Sequence, residues 1–256
     1  MFKQVRRESL PCSTVFRRRS RFSAVRLALA ALVLFGGYMP TGGFAEEPGD
    51  KPEEGRFDIY VADKRIGYEQ FSIATSADTV ESNSVVEFRD PGNRRRKVRL
   101  ETRLSMDARF APRAYVLRTD VDGKKGTVTG TFSADEAAFE YQGGERPLKR
   151  GLLVGDRYVI LDTNIFHHFT FVARQIDPQA GRAQSIEAVI PQELDVGRLK
   201  VRDTGLERVA IGGKKMDLHH LEADSGLQLI DLWVDDQKKL HKLAILSKKL
   251  EVVRVR

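Results

Sequence analysis

The sequence predicts a mainly-β protein: a large curved antiparallel meander sheet, or incomplete barrel, of roughly a dozen strands packed around one amphipathic helix near residues 163–177. Three observations carry that expectation. From Lys97 to Met106 the residues alternate, with Val98, Leu100, Thr102, Leu104 and Met106 on one side and Lys97, Arg99, Glu101, Arg103 and Ser105 on the other. This is how an antiparallel strand reads when one face packs on a core and the other meets water. Turn chemistry such as Asp90-Pro91-Gly92-Asn93, Asp122-Gly123 and Gly212-Gly213 recurs at intervals too short for parallel crossovers, which need roughly a dozen residues or more. One stretch has a helical period instead: Ile165, Phe166, Phe169, Val172, Ala173 and Ile176 make a single apolar stripe, with Asp162, Thr163 or Asn164 available as a cap and Pro178 as a stop.

Taken in order, the chain opens with the three parts of a secretory signal. Arg17 to Arg26 is basic, Leu27 to Phe35 is apolar, and Gly43-Phe44-Ala45 places small residues before a cut at Glu46. The apolar run is much shorter than the ~20 residues of a membrane span. Residues 1–45 are therefore expected to be removed, leaving a periplasmic or secreted chain with no stable transmembrane segment. The only cysteine, Cys12, lies in this leader, upstream of the apolar run and so on the wrong side for lipidation. The processed chain has no thiol, which excludes disulfides, thiolate catalysis and cysteine-rich zinc sites.

The net charge of +7 also belongs to the leader. Residues 1–45 hold eight of the 43 Lys and Arg and one of the 36 Asp and Glu, so residues 46–256 carry 35 of each. A neutral domain lacks the basic field that nucleic-acid binding requires. Residues 46–56 read as a charged Pro/Gly linker and 57–256 as one β-rich domain.

Within that domain Phe57 to Val61 and Ile66 to Ile73 form a hairpin, followed by strands at 79–89, 97–106 and 114–121 and shorter ones to residue 149. A strand at 157–161 leads into the helix. Further strands follow at 185–190, 197–203, 207–211, 216–222, 227–234, 240–246 and 250–255. Leu229 and Trp233 share a face that Asp231 interrupts, which argues against a membrane barrel.

The hairpin with Ile66-Gly67 on its return, Leu161-Asp162-Thr163-Asn164 before the helix, and Leu232-Trp233-Val234-Asp235 near the end resemble a family of uncharacterised bacterial envelope proteins, domain of unknown function 3108. The resemblance implies an exported curved sheet that clasps a helix in the manner of lipoprotein carriers. It transfers no catalytic residue.

No catalytic signature stands in the sequence: no G-x-S-x-G elbow and no glycine-rich phosphate loop before a helix. No cofactor is implied. The five histidines, His167, His168, His219, His220 and His241, lack zincin spacing. His167 and His168 would both point away from the apolar stripe. A two-residue turn at Ser225-Gly226 would set His219 opposite Leu232, and a four-residue loop at 235–238 would set Leu232 opposite His241. These two histidines would then lie roughly 9–10 Å apart, too far to share a metal. Solvated or hydrogen-bonded histidines fit better, so no metal is expected.

Two surfaces are candidates for binding. Phe166, Phe169, Val172, Ala173 and Ile176 line the seam between helix and sheet, where an apolar or lipid-like ligand would lie unless the helix plugs the core. Arg94, Arg95, Arg96, Lys97 and Arg99 form a basic cluster that either solvates a hairpin end or meets anionic envelope groups. Phe171, across the helix from the stripe, is expected to be covered by a second layer of the sheet. The sequence thus reads as an exported, non-catalytic binding or scaffold protein of the cell envelope, with an exported hydrolase as the alternative.

Overall fold

A computed structural model describes residues 51–255, apart from 94, 145 and 178–180. The leader, the first linker residues, Arg94 and Pro178 lie outside the described residues. The strands are β1 (Glu53–Val61), β2 (Lys64–Thr75), β3 (Thr79–Arg89), β4 (Lys97–Asp107), β5 (Pro112–Val121), β6 (Lys124–Phe132), β7 (Glu136–Gln142), β8 (Leu148–Leu153) and β9 (Tyr158–Ile160). After the helix α1 (Phe169–Gln175) come β10 (Gln184–Ile190), β11 (Asp195–Ile211), β12 (Lys214–Asp224), β13 (Leu229–Val234), β14 (Leu240–Ile245) and β15 (Leu250–Arg254).

All fifteen strands join one sheet in the order β8-β7-β6-β5-β4-β3-β2-β1-β15-β14-β13-β12-β11-β10-β9. Only β9 and β10 pair in parallel, and α1 lies in the connection between them. The hairpins follow from their turn residues. Ala62 and Asp63, Asp122 and Gly123, and Gly212 and Gly213 all have positive φ, the geometry of two-residue turns whose twist matches the strands they join. Strand β1 begins at Glu53, inside the stretch read as linker. The two strands expected at 197–203 and 207–211 are one strand, β11, which bends at a bulge beside Gly205.

The sheet is open and curved, and the chain itself brings its edges together. Residues 154–157 carry the chain from edge strand β8 to edge strand β9, a reach of at most about 17 Å. Among the described residues no ladder forms across this seam. Instead Phe132 packs on Tyr158 at 6.3 Å, and the Gly155 N–H donates to Glu187 on β10 at 2.8 Å.

Alternation sets the core on one face. Phe57, Ile59, Phe71, Leu104, Leu117, Leu232 and Val252 are buried there, and the helix region covers them with Ile165, Phe171, Val172, Ala173 and Ile176. Phe171 is buried as expected, worth roughly 1.5–3 kcal/mol.

The helix differs from its expected span of 163–177. It covers seven residues, Phe169–Gln175, with His168 at the N-cap position and no side-chain cap. Asn164 adopts a left-handed φ of 63°, which no helix continues through. Ile165 and Phe166 are buried as the stripe requires, but from irregular backbone rather than helix, and Phe169 is only half-buried. A helix this short is not stable alone and depends on what holds it to the sheet.

Candidate functional site

The holding is polar. On β2 the inward positions are Gly67, Glu69, Phe71 and Ile73, so a carboxylate interrupts the apolar face. On β3 the inward positions are Val80, Ser82, Ser84 and Val86. Pairing of Glu69 with Val86 and Ile73 with Ser82 leaves Glu69 and Ser82 two rows apart, with Phe71 between them. His167 lies flat on Phe71 (5.3 Å, 13°), which itself stacks on Phe57 (5.0 Å). From there the imidazole reaches both neighbours: Nδ1 is 2.6 Å from Glu69 Oε1 and Nε2 is 2.7 Å from Ser82 Oγ. A carboxylate only accepts, so Nδ1 carries a proton and donates it to Glu69, while Nε2 shares a hydrogen bond with the serine hydroxyl, which can donate or accept. Glu69, Ser82 and His167 each have 0% exposure.

The second Glu69 oxygen accepts the backbone N–H groups of Phe166 and His167 at 2.9 and 3.0 Å. It therefore satisfies donors of the irregular segment before the helix, which have no ladder of their own. Asp162 anchors the start of the same segment. Its Oδ1 accepts from the N–H of Thr163 and of Gln192, both at 2.9 Å, and its Oδ2 accepts the Tyr115 hydroxyl at 2.6 Å. Burial raises the Asp162 carboxyl to about 6, against these hydrogen bonds, which lower it. Burial, then the Asp162 charge, pushes the Tyr115 hydroxyl well above its ordinary range.

His168 is fully buried against Tyr115, His167 and Phe171, and neither ring nitrogen has a hydrogen-bond partner among the described residues. Burial, with His167 beside it, holds its pKa well below the usual histidine range. Both histidines point into the core, not away from it as helical periodicity implied, because residues 167 and 168 precede the helix.

The remaining histidines lie elsewhere. His219 pairs with Asp203 at 3.0 Å, His220 with Asp231 at 2.9 Å and His241 with Asp235 at 2.9 Å. The expected register fails by two residues. Ser225 Oγ accepts the N–H groups of Leu227 and Gln228, which makes a four-residue turn at 225–228 and sets His219 opposite Val234. Leu232 faces Leu221 and Leu243. Among the described residues no cluster of three or more His, Cys, Asp or Glu has metal-holding geometry.

At the seam between sheet and helix, Phe166, Val172, Ala173 and Ile176 are buried by their own neighbours, and Phe169 lies at the margin. Of the basic cluster, Arg96 pairs with Asp90 at 3.5 Å and Arg99 with both Glu87 and Glu101. Arg95 is exposed, and Lys97 donates its backbone N–H to Asp122.

Sequence reasoning missed Glu69, Ser82, Tyr115 and Asp162 as a group. The available signal was a charged or hydroxyl side chain at an inward strand position, as at Glu69 and Ser82. Their convergence on His167, 98 and 85 residues away, is set by register alone.

Fold and site define a barrel-like open β-sheet protein whose helix is fixed to the concave face by a buried polar clasp. No known protein family and no curated protein matches the sequence. Among solved structures, the chain is similar to a beta-barrel-like protein of domain of unknown function DUF1849 from Brucella abortus, with a TM-score of 0.53 at 12% identity over 79% of this chain and 94% of that one. It is also similar to a DUF1089 family protein from Pseudomonas aeruginosa, with a TM-score of 0.45 at 17% identity over 67% of this chain and 86% of that one. At such identities the likeness is one of fold. An uncharacterised β-fold family fits the DUF1849 neighbour, whereas the particular family 3108 is matched by no comparison.

Proposed function

We propose that the protein is an exported, non-catalytic binding or scaffold protein of the cell envelope, akin to the 3108 family, in which α1 is a fixed plug rather than a lid over a ligand. One observation carries this reading: the only serine–histidine–carboxylate relay of the described residues, Ser82–His167–Glu69, is fully buried and spends its carboxylate on backbone N–H groups. A nucleophile needs access to substrate and a pair of donors for the oxyanion, whereas a clasp needs neither. Filled positions along the seam support the plug, since Ala173 and Val172 have 0% exposure.

The hydrolase reading rests on the same residues. Distances of 2.7 and 2.6 Å are those of an activated serine triad. Labelling with a fluorophosphonate serine probe separates the two. The clasp predicts no adduct in native protein. An adduct that disappears in Ser82→Ala would establish the hydrolase.

A further inference from the structure

The face of the sheet opposite the core carries many matched charges: Arg65 with Asp58, Arg99 with Glu87 and Glu101, and Arg202 with Glu222. Two regions depart from that pattern, one of them an apolar cluster of Val209, Ile211, Leu218, Trp233 and Ala244. Where β1 to β5 cross, this face holds a trough of about 760 Å³, the size of a small-molecule site.

Register builds it. Val85 stands between Gln70 and Glu101, and Glu101 stands beside Arg118. In the next row Asn83 stands between Ser72 and Arg103, and Arg103 beside Val116. Two half-buried valines therefore make an apolar floor inside a polar surround.

The polar groups here are largely uncommitted. Gln70, Ser72 and Arg118 make no side-chain hydrogen bond among the described residues. Arg103 donates only its Nε, to Asn83 Oδ1 at 3.1 Å, leaving the fork of its guanidinium free. Glu101 is already matched by Arg99 at 2.8 Å, and Arg56 is held over the Tyr68 ring at 4.5 Å, near Asp58. Two forked cations thus face the trough, against the one carboxylate unmatched among the described residues, that of Glu54 at its rim, and each is suited to a carboxylate or phosphate. Planar amides and a hydroxyl beside them suit hydroxyl groups, and the valine floor suits the C–H face of a ring.

From this arrangement we infer that the trough is a binding site for an acidic mono- or disaccharide, its carboxylate or phosphate held by Arg103 and Arg118 and its ring laid on Val85 and Val116. This rests on the binding role proposed above and gives it a place and a ligand class. It is independent of Ser82, so the serine-probe result leaves it untouched.

Calorimetric titration of the purified protein with glucuronic acid, glucose 6-phosphate, glucose and acetate tests the inference. At least one acidic sugar binds tenfold or more tighter than both glucose and acetate, about 1.4 kcal/mol. Arg118→Ala and Arg103→Ala each weaken that binding about tenfold or more, with melting curves like the parent's because neither side chain is in an ion pair among the described residues. The inference is overturned if neither acidic sugar exceeds glucose, or if both variants bind as the parent does.

Discussion

Two histidines of this molecule sit in closely matched settings on opposite faces of one sheet. His167 lies flat on Phe71 and bridges Glu69 and Ser82. His220 lies flat on Trp233 (4.9 Å, 8°) and bridges Asp231 and Glu207. The first cluster has no solvent exposure, and the second includes a Glu207 side chain that is 49% exposed. The deeper difference is what each one holds. His220 and its partners sit on strands already joined by ladder hydrogen bonds, whereas Glu69 and His167 hold a segment whose backbone has few other partners. Polar contacts decide structure where water is absent and where the backbone depends on them.

Five substitutions break or sharpen that contrast. The largest effect belongs to Glu69→Ala, which strands two backbone donors and the His167 Nδ1–H in the core. It is expected to cost roughly 3–5 kcal/mol in urea unfolding. Glu207→Ala, on the outer face, is expected to cost well under half of that, and equal losses would refute the comparison.

Next comes the pH response of Asp162. Its folded pKa of about 6 is raised above the ordinary 3.8. Its contribution is therefore complete below pH 3.8 and lost as pH rises through about 6, which leaves a penalty of roughly 3 kcal/mol at neutral pH. Asp162→Asn keeps the shape and the acceptor and removes the charge. It should raise the urea midpoint at pH 7 and converge on the parent near pH 3.8.

His168→Phe removes two unpartnered ring nitrogens while keeping an aromatic ring against Tyr115 and Phe171, and should stabilise by about 1–3 kcal/mol. The sign here is opposite to that of Asp162. A histidine whose folded pKa is depressed gives its full stability above pH 6.5 and loses it as pH falls, so the advantage of phenylalanine should be larger at pH 5 than at pH 8. The smallest effect is expected for His219→Ala, whose partly exposed pair with Asp203 should be worth less than about 1 kcal/mol and weaken in salt.

Much of this architecture was legible because alternation and turn chemistry are local. The strand expected at 97–106 is Lys97–Asp107, and the turns at Asp122-Gly123 and Gly212-Gly213 stand where their residues demand. The helix was legible as burial but not as conformation. Ile165 and Phe166 face the core as the stripe implies, yet Asn164 reverses the chain just before them. The clasp was beyond local reading, because Glu69, Tyr115 and His167 meet only once thirteen antiparallel pairings and one parallel pairing fix their rows. At Ser225 the hydroxyl closes a four-residue turn, and every β13 partner of β12 stands two residues from its expected place.

The short link at 154–157 has a consequence for how the fold is reached. It joins the two edges of the sheet, whereas its middle is made by β1 and β15, with Phe57 opposite Arg254. That pairing spans nearly the whole domain in sequence, while nearly every other ladder joins neighbours. Were the chain cut within 154–157 and β15 connected to β1, each strand from β9 through β15 and on from β1 to β8 would pair with the next one in sequence. The contact order would fall sharply, and the loop closed by β1 and β15 would no longer slow the search. The native order instead leaves the middle of the sheet to be completed last, when β15 emerges to meet a strand made at the start.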